Sequence, residues 1–124
     1  MAYFKIEIQT KPVPKARPRL GANGRMYTPK ETREFEELIG WTTRSVVRKP
    51  IEKPVKVNID VYSKTRADFD NIAKAILDGL SGVAFIDDRQ VVDLRIRKLT
   101  PVNCEKIVIS IREARSVLKC KTSD

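Results

Sequence analysis

Four stretches of the chain alternate apolar and polar side chains with the two-residue period of a half-buried strand. They are Phe4, Ile6 and Ile8; Val55, Val57, Ile59 and Val61; Val92, Leu94 and Ile96; and Ile107, Ile109 and Ile111. Each has one apolar face, so the sheet they build is expected to be covered on one side only. Two further stretches switch to the helical period. One runs from about Thr32 to Arg48, with Phe35, Leu38, Ile39, Thr42 and Val46 on its apolar stripe. The other runs from about Asn71 to Leu80, with Ile72, Ala73, Ile76, Leu77 and Leu80, and Gly79 and Gly82 mark its end. Pro50 and Pro54 punctuate the entry to the second strand, and Thr100 to Glu105 is read as a turn that makes a hairpin of the last two strands. The order β-α-β-α-β-β predicts one α/β (α+β) domain over residues 1–124, a mixed four-stranded sheet with two helices packed on one face. A chain of 124 residues is long enough to bury such a core without staples.

Two segments fall outside this pattern. Residues 11–30 read KPVPKARPRLGANGRMYTPK, a proline-rich loop whose cations cannot be buried. Long loops of this kind are usually functional, which makes Lys15, Arg17, Arg19, Arg25 and Lys30 candidates for contact with a polyanion. Residues 115–124 are polar and basic, and a flexible tail is expected there.

Charge sharpens the picture. The net charge is +9 and the pI about 9.8, so nucleic acid is the expected partner. Against that background, residues 67–94 hold six aspartates and only two basic residues. The chain has no histidine, which removes the usual general base, the Ser-His-Asp and Cys-His pairs, and histidine-ligated zinc or iron. Hydrolytic chemistry here must rest on carboxylates, lysine and a hard cation, Mg²⁺ or Mn²⁺. Cys104 and Cys120 form no CxxC pair, so neither a zinc site nor a disulfide framework is expected. No run approaches the ~20 apolar residues of a membrane span and no apolar signal core opens the chain, so a cytoplasmic protein is expected.

The acidic segment carries Asp68-Phe69-Asp70-Asn71, Lys74, Asp78 and then Asp87-Asp88-Arg89-Gln90. In an extended link, Asp68 and Asp70 project to the same side while Phe69 turns towards the core. Lys74 and Asp78 follow Asp70 at i+4 and i+8 on the polar stripe of the second helix. The turn after that helix delivers Asp87 and Asp88, so strand-end and helix-end carboxylates are expected to converge on one cation. Each residue alone also has an ordinary explanation. Asp70 is a plausible N-cap, Asp78 a partner for Lys74 on a solvated face, and Asp87-Asp88 a polar turn. The combination is what carries weight.

The string DFDNIAKAILDGLSGVAFIDDRQVVDLRIRK resembles the core motif of the RusA family of Holliday junction resolvases. That motif is an Asp-x-Asp-Asn, a helix with a lysine, an Asp-(Gly/Ala)-Leu and an Asp-Asp-x-Gln-Val. The PVPKARPR and MYTPKETREFE stretches further resemble copies found in phages and prophages. The resemblance implies a homodimeric, Mg²⁺-dependent endonuclease that makes paired symmetric nicks across a four-way DNA junction. It places metal-binding carboxylates at Asp68, Asp70 and Asp88 and an essential lysine at Lys74. Asn71 and Asp87 are secondary candidates. The basic run that precedes the motif in the family is thin here, leaving Lys64 and Arg66.

Symmetry argues for a dimer independently, because two opposed cuts need two sites about a two-fold axis. Val83-Ala84-Phe85-Ile86 and Trp41 are candidates either for that interface or for the core. Three other readings stay open. One is a nuclease acting on flaps, forks or other branched DNA, and another is a non-catalytic nucleic-acid-binding domain. The third, a magnesium phosphatase using DxD, is disfavoured because Ser63 to Ala67 is polar where that fold needs an apolar strand.

Overall fold

The computed structural model describes residues 3–101 and 103–114. The four long strands form where the alternation places them: β1 (Tyr3–Ile8), β4 (Val55–Tyr62), β5 (Val91–Leu99) and β6 (Lys106–Glu113). Two short strands, β2 (Arg19–Leu20) and β3 (Met26–Tyr27), lie between β1 and the first helix. The helices are α1 (Lys30–Arg44) and α2 (Phe69–Leu80), and a 3₁₀ turn spans Asp88–Gln90. The main sheet runs β1-β6-β4-β5, with β6 antiparallel to both neighbours and β5 parallel to β4. Sheet and helices make the expected mixed α+β layer.

The core lies on one face. Val55, Val57, Ile59 and Val61 meet Ile107, Ile109 and Ile111 of β6 and Ile6 and Ile8 of β1, under Phe35 and Ile39 of α1 and Ile72, Ile76 and Leu80 of α2. The opposite face carries Lys5, Lys56, Asn58, Asp60, Arg95, Arg97, Ser110 and Arg112, as the two-residue period requires. Across it Arg97 grips Asp60 through two bonds of 2.9 and 3.1 Å.

Several expectations are corrected. The last two strands are not a hairpin: β4 lies between β5 and β6, and the connection passes from one side of it to the other. Alternation reports a strand's faces and carries no information about its neighbours. The first helix ends at Arg44, where the Thr43 hydroxyl donates to the Ile39 carbonyl and that of Ser45 to the Thr42 carbonyl. Its buried seam is Thr32, Phe35, Ile39 and Thr43, while Leu38 and Val46 are exposed.

Gly79 lies in the last turn of α2, one residue before its end at Leu80. A Cβ there would stand 2.8 Å from the Ile39 Cβ and 2.9 Å from the Glu36 carbonyl, so the glycine permits the close approach of the two helices. Gly82, with φ of +83°, makes the turn after it. Ala84 and Phe85 are core, whereas Ile86 and Trp41 are on the surface, the latter with Arg44 over its ring. The proposed tail, 115–124, and Cys120 lie outside the described residues.

Candidate active site

The head of α2 is shaped by the link from β4. Thr65 N–H donates to the Ser63 hydroxyl and Ala67 N–H to the Thr65 hydroxyl, so hydroxyls two residues apart brace the chain on its way to Asp68. Ser63 in turn donates to Glu105. Lys64 and Arg66 are exposed between these braced positions. Lys98, at the end of β5, donates to the Ala67 carbonyl at 2.5 Å, and its ammonium lies 4.7 Å from the centre of the Phe69 ring. This partly buried cation clamps the entry to Asp68. Sequence reasoning missed it, because nothing local marks a β5 lysine that acts across to the β4–α2 link.

The helix begins at Phe69, two residues earlier than an extended Asp-Phe-Asp would allow. Asp68, not Asp70, is the N-cap residue, and its side chain makes no capping bond, so among the described residues the carboxylate is free. Asp70 accepts only the N–H of Asn71, at 3.0 Å. With helical rather than strand geometry, Phe69 is not turned into the core and stays 45% exposed. Both carboxylates are exposed at the positive end of the helix dipole. Lys74, one turn on, is exposed and has no ion pair among the described residues.

Asp78 does not pair with Lys74. Its partner is Lys15, at 3.1 Å, which also bonds Glu36 at 2.6 Å and donates its own backbone N–H to the Asn71 carbonyl at 2.8 Å. Burial lowers the Lys15 pKa, but the bonds to Glu36 and Asp78 outweigh it and the net shift is upward. Lys15 thus ties the basic loop to both helices, whereas Arg17, Arg19 and Arg25 stay exposed with no ion pair among the described residues. Lys30 has a loose partner in Glu34, at 3.6 Å.

Asp87 and Asp88 follow the tail of α2, and the motif's glutamine explains their placement. Gln90 Oε1 accepts the N–H groups of Ile86 and Asp87 at 2.8 and 2.9 Å, while its Nε2 donates to the carbonyls of Ile51 and Lys53 at 2.7 and 2.9 Å. Asp87 completes a capping box by accepting the N–H of Arg89. Contact between the two carboxyls, together with burial and the charges of Asp87 and Asp78, holds Asp88 above the ordinary carboxylate range. The same contact and the Arg89 N–H hold Asp87 below it.

The three principal carboxylates do not converge. Asp68 and Asp70 stand where β4 ends, whereas Gln90 fastens Asp88 beside Ile51 and Lys53, where β4 is about to begin. Between them lies α2, whose 12 residues span ~18 Å. Among the described residues no three acidic or thiol groups are grouped to hold a metal ion. The expected convergence fails because β5 runs parallel to β4, so the chain must traverse the whole sheet before it returns through Asp88.

Exposed acids on a basic α+β domain suit a protein that acts on a polyanion, and comparison with known proteins gives the class. The model of the endodeoxyribonuclease RusA family matches residues 9–112, and the chain belongs to that family. It is 28% identical over 102 residues to a crossover junction endodeoxyribonuclease RusA of Shigella sonnei (strain Ss046), covering 80% of this chain and 79% of that protein. Those of Escherichia coli (strain K12) and Enterobacteria phage 82 are 36% identical over 63 residues, 48% of this chain and about half of theirs (52%). Among the described residues no helix is long and apolar enough to cross a membrane.

Proposed function

We propose that this protein is a structure-specific endodeoxyribonuclease that resolves four-way DNA junctions by paired symmetric nicks, acting as a homodimer in the cytoplasm with Mg²⁺ or Mn²⁺. Family membership supports the reaction class. The observation that carries the site is the unspent chemistry at the head of α2: two exposed carboxylates, neither used as a side-chain cap, one helical turn from a lysine with no ion pair among the described residues.

Within one chain the carboxylates do not fit a cation, because Asp88 is a helix length away from Asp68 and Asp70. Each chain offers two half-sites. A two-fold-related copy that brings its Asp88 to the first chain's Asp68 and Asp70 completes two sets at once, which makes the dimer a condition of the chemistry as well as of the paired cuts. Hard carboxylate donors and the absence of histidine favour Mg²⁺ or Mn²⁺ over zinc.

The chain's own residues supply the rest. Lys74 presents a positive charge to the phosphate as negative charge develops on it. Lys64, Arg66, Arg17, Arg19, Arg25 and Lys30 hold flanking backbone. Asn71 has a different part, its carbonyl anchoring Lys15 and so the loop.

Nicking of an end-labelled four-way junction beside matched linear duplex tests this reading. Symmetric nicks in the junction alone, lost with EDTA and with Asp70→Asn, are expected. Equal cutting of flaps or forks would widen the substrate class, and binding with no cleavage in either metal would overturn the nuclease.

A further inference from the structure

The 11–30 segment is not an irregular loop throughout. Arg19 pairs with Tyr27 and Leu20 with Met26, closing a small antiparallel ribbon. Gly21 N–H donates to the Arg25 carbonyl at 2.8 Å, Gly24 N–H to the Gly21 carbonyl at 3.0 Å, and Asn23 Oδ1 accepts the N–H of Arg25 at 3.0 Å. Gly24 sits at φ +80°, which favours glycine. The ribbon is held at both ends, by Lys15 across the two helices and by the start of α1 at Lys30. Yet it buries almost nothing. Leu20 is 69% exposed, Met26 63% and Tyr27 49%.

A two-by-two ribbon gains too little from its own hydrogen bonds to account for three large apolar side chains in water. The register puts Leu20 and Met26 on one face of the ribbon and Tyr27 on the other beside Arg19, so both faces are apolar. These side chains are set among Arg17, Arg19 and Arg25, and no acidic residue occurs between Ile8 and Lys30. That pairing selects a partner. The arginines require a dense anion, and the apolar surface requires something flat and apolar within reach of it. Nucleobases held between phosphate backbones meet both demands, provided their faces are open. In continuous duplex the faces are stacked shut, whereas at a branch point the stack is interrupted. The same hairpin on a second copy fits poorly, since like charges would face each other.

We infer that the β2–β3 hairpin is the branch-reading element: Leu20 and Met26 on one face of the ribbon and Tyr27 on the other pack against unstacked bases at the branch point, as a wedge between them, while Arg17, Arg19 and Arg25 hold the adjoining phosphates. The inference rests on the junction-nuclease reading above and adds the part that tells a junction from a duplex.

The test uses full-length protein and four-way junctions carrying 2-aminopurine either at the branch point or within an arm. The wild type is expected to raise fluorescence at the branch position only. A triple variant, Leu20→Ser, Met26→Ser and Tyr27→Ser, is expected to abolish that rise and to lower the preference for junction over linear duplex by about tenfold, with duplex affinity within twofold. Tyr27→Phe keeps both properties. Arg19→Gln with Arg25→Gln is expected to weaken junction and duplex alike and to flatten the salt dependence. A triple variant that keeps the fluorescence rise and the preference overturns the inference. So does one that instead falls from dimer to monomer in sedimentation, which would assign the hairpin to contact between copies. A wild type with no junction preference would sink the underlying nuclease reading, a result distinct from either.

Discussion

The two ends of α2 hold the same kind of side chain in opposite ways. At the head, Asp68 and Asp70 are nearly free of hydrogen bonds, and their placement comes from the backbone: the Ser63 and Thr65 braces and the Lys98 clamp. At the tail, Asp87 and Asp88 sit in a turn held by four bonds from Gln90. The head presents a pair of open carboxylates on a rigid element, and the tail is a fastened turn that carries an exposed Asp88. The comparison teaches that the motif has two jobs, to leave acids unsatisfied at one end and to fix an acid's position at the other. The proposed site, completed between two copies, would use both.

The largest expected effect breaks the head. Asp70→Asn should lower junction cleavage by at least ~10², about 2.7 kcal/mol of barrier, while junction binding is largely kept. Cleavage at the wild-type rate would remove Asp70 from the site. Asp88→Asn should be similarly inactive, and mixing the two inactive proteins sharpens the contrast. If head and tail of different copies share a site, a mixed dimer regains one intact site and nicks one strand. If each site lay within one chain, the mixture would stay dead.

Gln90→Ala attacks the tail, leaving the Ile86 and Asp87 N–H groups and the Ile51 and Lys53 carbonyls without their partner. Loss of roughly 2 kcal/mol in urea unfolding is expected, with a fall in cleavage that raised Mg²⁺ partly recovers. Unchanged stability would refute the fastened turn.

At the head, Lys98→Met keeps the aliphatic stem and deletes the clamp. Cleavage rate should fall by about tenfold with junction affinity within twofold, and Lys98→Arg should restore part of it. A loss confined to affinity would make Lys98 a DNA contact.

The smallest effect separates structure from binding at Lys15. Lys15→Met should lower stability by about 1–2 kcal/mol at neutral pH. Because the folded-state pKa lies above the unfolded value of 10.5, the lysine's contribution is complete below that pH and disappears as pH rises through the folded value. The stability difference between wild type and variant should therefore be flat from pH 6 to about 9 and shrink only as pH rises beyond the unfolded value of 10.5. A difference independent of pH would place the effect in the lysine's stem.

What the sequence determined by itself was whatever is local or periodic. Alternation at Val55–Val61 and Ile107–Ile111 set which faces are buried, since a strand's side chains alternate whatever its neighbours are. The motif, the missing histidine and the charge contrast pointed to the family without any coordinate and nominated the acids. From sequence Asp87-Asp88 reads only as a polar turn, although the spacing of Asp87 and Gln90 carries the capping-box signal that the structure brings out. Tertiary structure decided what depends on partners distant in the chain. It placed β4 between β5 and β6, put Gly79 against Ile39, sent Lys15 to Asp78 and Lys98 to Ala67, and separated Asp88 from Asp68 and Asp70 by the length of α2. Strand order and parallel pairing are set by which apolar faces close the core together, a property of the whole chain that no window of residues contains.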